Sequence, residues 1–196
     1  MPASQALVSK GAVIDFYPLD EPLLAARANA DDLGGAEPVA PETGATLRFL
    51  ATAIGARSVV EIGTGCGSSG IWLLRGMRPG GVLTSVDIEP ECQRLARKVF
   101  QQAGFAPNQA RLILGWARDV LPRLTDGGYD MVFCNADPDG CGEYLEIGLR
   151  LLRPGGIIAF DGAQPATELA ASVFSDEQLV PVMLPVAGGL LAAVKK

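Results

Sequence analysis

Ser58-Val59-Val60-Glu61-Ile62-Gly63-Thr64-Gly65-Cys66-Gly67-Ser68-Ser69-Gly70 is the stretch whose reading decides the fold. Val59, Val60 and Ile62 are apolar and β-favouring, as in a strand covered on both faces, whereas Gly63, Gly65 and Gly67 suit a backbone that turns tightly beside a ligand. The order predicts a strand, a glycine loop and a helix. Ser68 or Ser69 is expected to cap that helix, which carries Ile71, Trp72 and Leu74.

Downstream, strands and helices alternate. The turn Arg78-Pro79-Gly80-Gly81 leads into a strand over 82–87 that ends at Asp87. A helix follows with Pro90 near its start. It aligns Cys92, Leu95, Ala96 and Val99 on one stripe, turns Arg94, Arg97 and Lys98 toward water, and ends at Gly104. A third strand covers 111–114, then Gly115-Trp116 opens a short helix interrupted by Pro122, and the fourth strand covers 129–134. A helix with Leu145, Leu149 and Leu152 is expected to stop at Arg153-Pro154-Gly155-Gly156, before a fifth strand over 157–161. Parallel strands joined by helical crossovers make a doubly wound sheet, which binds ligands beyond the carboxyl ends of its strands. Asp87, Asn135, Asp137 and Asp161 all fall at those ends. After a helix over 167–174, two apolar runs at 179–186 and 190–194 are separated only by Ala187-Gly188-Gly189. So short a gap allows a hairpin and forbids a helical crossover, so the last two strands are expected to be antiparallel.

Upstream, residues 2–18 hold the apolar patches Ala12-Val13-Ile14 and Phe16-Tyr17-Pro18 without sustained period, which suits a surface arm or a subunit contact. Asp20 is expected to cap a helix with Pro22 in its first turn and Leu23, Leu24 and Ala26 on its packed side, ending near Gly34-Gly35. Pro38-Val39-Ala40-Pro41 forces an extended segment. A second helix aligns Leu47, Leu50, Ala51 and Ile54 and stops at Gly55. The organisation expected is one domain, 1–196, with an arm and helices over 1–57 and an α/β core over 58–196.

The 196 residues are 48% hydrophobic and 19% charged, which fits a single globular core. Sixteen basic against 22 acidic residues give a net charge of −6 with no basic run, so a nucleic-acid partner is not expected and a small-molecule substrate is. Cys66, Cys92, Cys134 and Cys141 form no Cys-x-x-Cys pair and there is no histidine, which argues against structural zinc and for reduced, mostly buried thiols in a cytoplasmic protein. No signal peptide or long apolar run supports export or a membrane span.

Two cofactor readings compete at the glycine loop. Gly65, Gly67 and Gly70 fit the dinucleotide pattern, with Asp87 placed for a ribose, which would suit an NAD-dependent oxidoreductase. Starting two residues earlier, Glu61-x-Gly63-x-Gly65-x-Gly67 resembles the first motif of S-adenosylmethionine (SAM)-dependent methyltransferases. SAM offers a carboxylate, an ammonium and a ribose rather than a diphosphate, so acids and a short glycine turn suffice.

From about Val39 onward the chain resembles the class I O-methyltransferases of the catechol and caffeoyl-CoA type, the bacterial type 3 O-methyltransferases. The likeness rests on the glycine motif, Val-Asp-Ile-Glu-Pro at 86–90, Tyr-Asp-Met-Val-Phe at 129–133, Leu-Leu-Arg-Pro-Gly-Gly at 151–156 and the terminal hairpin. It implies a Rossmann-like, doubly wound, mostly parallel seven-stranded sheet ending in an antiparallel hairpin, SAM-dependent O-methylation of a small molecule, and a homodimer. It also implies cofactor roles: Val39 at the methionine end, Glu61, Gly63, Thr64 and Gly65 as the floor, and Ser69 at the carboxylate. Asp87 would take the ribose, Ala117, with Trp116 and Arg118 beside it, would border adenine, and Asp137 would meet the ammonium, with Asn135 beside it.

The family's metal-binding pattern is altered. Members generally carry Asp-Ala-Asp-Lys after the fourth strand and Asp-Asn after the fifth, so that two aspartates and an asparagine bind a divalent cation. Here the residues are Asn135-Ala136-Asp137-Pro138 and Asp161-Gly162. With Asp161 as the sole charged ligand beside Asn135, a tightly bound Mg²⁺ is not expected. Pro138 stands where the family's lysine helps deprotonate the acceptor, no catalytic base is evident, and a non-catalytic SAM-binding protein is the alternative.

Overall fold

The computed structural model describes residues 16–34, 37–136, 140–163 and 167–196. The expectations for residues 2–15, Asp137 and Pro138, and the Cys141 side chain, lie outside the described residues. β1 (Ser58–Ile62), β2 (Val82–Asp87), β3 (Ala110–Leu114), β4 (Tyr129–Cys134), β5 (Leu152–Asp161), β6 (Leu179–Leu184) and β7 (Leu190–Lys195) form one sheet in the order β3-β2-β1-β4-β5-β7-β6. β1 to β5 pair in parallel, and β7 runs antiparallel to both β5 and β6, as the short hairpin connection requires. Strand order reverses between β1 and β4, which places a crevice at their carboxyl ends.

Seven α-helices cover the sheet among the described residues: α1 (Glu21–Leu33), α2 (Pro41–Ala53), α3 (Ser68–Gly76), α4 (Pro90–Gln102), α5 (Ala117–Val120), α6 (Cys141–Leu151) and α7 (Glu168–Ser175). Because successive strand residues point to opposite faces, alternate side chains build two cores. Val59, Leu83, Met131, Phe133 and Ile157 pack with Leu47, Ile71 and Phe100 on the face carrying α1 to α4. Val60, Val86, Val132, Ile158 and Phe160 pack with Leu121, Leu145 and Val173 on the other face.

Three local expectations are corrected. Gly67, with φ 93, is the N-cap of α3 and no side chain caps that helix; Ser69 instead bonds Glu61, a buried acid that needs donors more than the helix end needs an acceptor. Leu24 is 53% exposed, so the packed stripe of α1 is Leu23, Ala26 and Ala30; Asp20 stands at the N-cap position as expected, with its side chain paired to Arg75 at 2.5 Å. β5 begins at Leu152, not Ile157, because the ladder to β4 resumes at Tyr129↔Leu152 across a register shift. Asp130 fixes that irregular stretch by accepting from Arg153 Nε at 2.6 Å and from the backbone N–H of Arg57 and Ser58 at 2.7 and 2.9 Å.

Candidate functional site

The glycine loop leaves β1 at the crevice. Gly63 N–H donates to the Val86 carbonyl and Asn135 N–H to that of Ile62, both at 2.9 Å, so the ends of β2 and β4 grip the loop from both sides. Gly63 has φ 92, and a Cβ there would lie 2.2 Å from the Asn135 carbonyl oxygen. Only glycine permits that approach. Gly65 is also left-handed, with φ 48, but nothing lies within 4 Å of where its Cβ would be, so its backbone faces open space.

Asp87 ends β2 directly across from Gly65. Its Oδ2 accepts the Gly65 N–H at 2.8 Å and its Oδ1 the Glu89 N–H at 2.9 Å. A carboxylate has about four lone-pair sites, so two backbone bonds orient the group and leave acceptor capacity on each oxygen. The Gly115 N–H reaches the Asp87 carbonyl at 2.9 Å, which brings the end of β3 alongside.

Val39, Thr64, Gly65, Ser69 and Asn135 line one narrow cleft, flanked by Ala26 of α1. Behind it Glu61 is fully buried. Ser69 Oγ donates to its Oε1 and Ser85 Oγ to its Oε2, each at 2.6 Å. The Thr64 and Ser85 hydroxyls are 2.7 Å apart, and with the Ser85 proton committed to Glu61, Thr64 is the donor. Burial pushes the Glu61 carboxyl from its ordinary 4.5 up to about 7, despite the two serine bonds that favour the charged form. A raised carboxyl binds more protons folded than unfolded between those values, so its contribution to stability falls as pH rises from 4.5 through 7. Glu61→Gln, which mimics the protonated form, is therefore expected to gain on the native chain by roughly 3 kcal/mol between about pH 5 and pH 8 in denaturant titrations. A pH-independent difference between the two would contradict this.

Sequence reasoning did not single out Ser85, Ile88 or Thr43. A serine in the middle of an apolar strand signalled Ser85, which satisfies Glu61. β2 and β3 end in register at Asp87 and Leu114, so Ile88 and Trp116, 44% and 53% exposed, emerge from neighbouring strand ends. Ala117 is buried at the start of α5, with the Arg118 guanidinium 5.0 Å from the Trp116 ring centre.

Asp161 lies elsewhere. Thr43 Oγ1 donates to it at 3.4 Å, and burial raises its carboxyl above the ordinary 3.8. It lines a separate cavity of about 580 Å³ with Cys134 and Ala136, while Asn135, on the opposite face of the chain, lines the cleft. A hard divalent cation takes converging anionic oxygens. One amide and one carboxylate in different cavities, followed by Gly162, do not fit that demand, and among the described residues no group of three or more Cys, Asp or Glu converges.

A glycine loop at the point where strand order reverses, an oriented acid on the next strand and an antiparallel hairpin closing the sheet define a Rossmann-like fold for a nucleoside-bearing cofactor. The chain belongs to the O-methyltransferase family, whose profile matches residues 24–179. A Mycolicibacterium smegmatis protein that carries the provisional name O-methyltransferase is 46% identical over 192 residues, covering 90% of this chain and 91% of its own. Among solved structures, the Bacillus cereus O-methyltransferase in complex with SAH, the demethylated form of SAM, superposes with a TM-score of 0.83 at 26% identity, over 95% of this chain and 96% of that one. The Streptomyces achromogenes O-methyltransferase TomG, involved in tomaymycin synthesis and solved with SAM, gives 0.81 at 27% identity over 92% of each chain. The dinucleotide reading has no such support. A Cβ on Gly67 would meet Val99 at 2.8 Å and the Ala96 backbone at 3.1 Å, so this glycine serves packing against α4 rather than the approach of a diphosphate.

Proposed function

We propose that this O-methyltransferase holds SAM along the loop at 63–67 and methylates an oxygen of a small molecule without a tightly held divalent metal. The observation that carries the reading is Asp87, oriented by the Gly65 and Glu89 N–H groups with lone pairs to spare for two ribose hydroxyls. In this reading the methionine end of the cofactor lies against Val39, Thr64 and the bare backbone of Gly63 and Gly65. Its carboxylate meets the N-terminal amides of α3 around Ser69, which no side chain caps. Asn135 and Asp137 attend the ammonium, Glu61 keeps Ser69 in place from behind, and Ile88, Trp116 and Ala117 border adenine.

Bound SAM supplies a methyl on a sulfonium: the acceptor oxygen–methyl bond forms as the sulfur–methyl bond breaks, leaving SAH and one released proton. The chain's contribution is positioning, which is what an in-line displacement chiefly needs. We further infer a single domain over 1–196, a homodimer and a cytoplasmic location.

Calorimetric titration with SAM, SAH and NAD tests the cofactor assignment. SAM and SAH are expected to bind and NAD to give no heat; NAD binding alone would overturn the reading. Transfer of labelled methyl from SAM to a catechol panel, run with and without a chelator, tests the metal clause. Turnover is expected to survive chelation, and its loss, restored by added Mg²⁺, would contradict that clause.

A further inference from the structure

Among the described residues Glu61 is the acid that is fully buried, and no cation pairs with it. Its two oxygens accept from Ser69 and Ser85, and Ser85 accepts in turn from Thr64. With Glu61 ionised, all three hydroxyl protons therefore run inward to the carboxylate. Ser69 and Thr64 line the cofactor cleft, yet neither has a proton left to offer there. One proton added to Glu61 reverses this. A protonated carboxyl donates at one oxygen, to Ser69 or to Ser85, and Ser85 can turn its own proton on to Thr64 across their 2.7 Å contact. Either route frees a hydroxyl proton of a residue that lines the cleft.

The same carboxyl sits under the first turn of α3, where a Cβ on Gly70 would lie 3.3 Å from its Oε2. No side chain caps that turn, so an anion held by its amides shares one helix end with Glu61, and two like charges there disfavour each other. Around Glu61, β4 offers Phe133, its register partner, and α4 offers Phe100, whose ring packs against Gly70. β2 offers Ser85 and Asp87, and Asp87 is the charged group that acts on Glu61, adding to the effect of burial. With its carboxyl at about 7, Glu61 is present in both forms at neutral pH.

We propose that Glu61 is a positioning residue through which cofactor binding takes up a proton from water: the neutral carboxyl turns a Ser69 or Thr64 hydroxyl toward the carboxylate of the cofactor and withdraws the competing charge behind it. This rests on the cofactor reading above and adds how that site responds to pH. Affinity is greatest where Glu61 is already protonated in the free protein, and it falls as pH rises beyond that range.

The test titrates the full chain with SAH by calorimetry at about pH 7, in two buffers of different ionisation enthalpy, which counts the protons taken up. About half a proton per SAH is expected, because Glu61 is half protonated when free and fully protonated when SAH is bound. Between about pH 6.5 and pH 8.5 the affinity is expected to fall roughly twentyfold. Glu61→Gln presents an amide N–H in place of the carboxyl proton, so it is expected to hold its affinity within about twofold over that range, with uptake near zero. Infrared difference spectra of the native chain at about pH 8 are expected to gain the carbonyl stretch of a protonated carboxyl when SAH is added, a readout that needs no variant. Uptake near zero or no such stretch in the native chain, or equal uptake in Glu61→Gln, overturns the proposal and leaves the cofactor reading standing. Failure to bind SAH overturns the cofactor reading itself, and this inference with it.

Discussion

Asp87→Ala is expected to weaken SAM binding by about a hundredfold while lowering stability by only about 1 kcal/mol. Two hydrogen bonds from ribose hydroxyls to a carboxylate together contribute about 3 kcal/mol, which corresponds to that factor in affinity. The modest structural cost follows from position. Asp87 is only partly buried at a strand end, and water can satisfy the Gly65 and Glu89 N–H groups that it releases. Asp87→Asn keeps the shape and loses the charge, so it is expected to fall between the two. Calorimetry of the three proteins with SAM, alongside their thermal melts, checks the ordering. Equal affinity of native and alanine proteins would remove the basis for placing the ribose at Asp87.

The largest loss of stability is expected from Gly63→Val. The side chain would have to enter space where the Asn135 carbonyl oxygen lies 2.2 Å from a Cβ, at a φ of 92 that branched residues do not adopt. Overpacking and backbone strain together cost about 3 kcal/mol or more, and a fall of roughly 10 °C in melting temperature is expected for a chain of this size. Gly65→Ala is the informative contrast. Its φ is 48 and no atom lies within 4 Å of the new methyl, so about 1 kcal/mol is expected from strain alone. The methyl would nonetheless stand in the cleft, so cofactor affinity is expected to drop in a protein that melts almost normally. If Gly63→Val melted like the native chain, the close approach of β1 and β4 would be wrong.

The sheet was legible because parallel strands are buried on both faces and read as uninterrupted apolar runs: Val59-Val60, Met131-Val132-Phe133 and Ile157-Ile158 needed no periodicity. The hairpin followed from a gap too short for a helix. What misled the reading was local chemistry decided by tertiary partners. Arg153-Pro154-Gly155-Gly156 has the composition of a loop, yet Asp130 holds Arg153 and Leu152 pairs with Tyr129, so the stretch belongs to β5. Ser68 and Ser69 have the composition of caps, yet the buried Glu61 claims Ser69. In the site, Asp87, Gly63 and Gly65 could be read from spacing alone, because glycines and an acid after consecutive strands must meet at a crevice. Spacing could not pair Ser85 with Glu61 or Thr43 with Asp161, since 24 and 118 residues separate them in the chain.

A crystal structure of the protein with SAH measures directly where the cofactor lies. Both ribose hydroxyls are expected within hydrogen-bond distance of Asp87, the amino-acid tail along residues 63–67 with its carboxylate at the start of α3, and adenine beside Trp116 and Ala117. A nucleoside bound elsewhere, with Asp87 still engaged only by the Gly65 and Glu89 N–H groups, would contradict it.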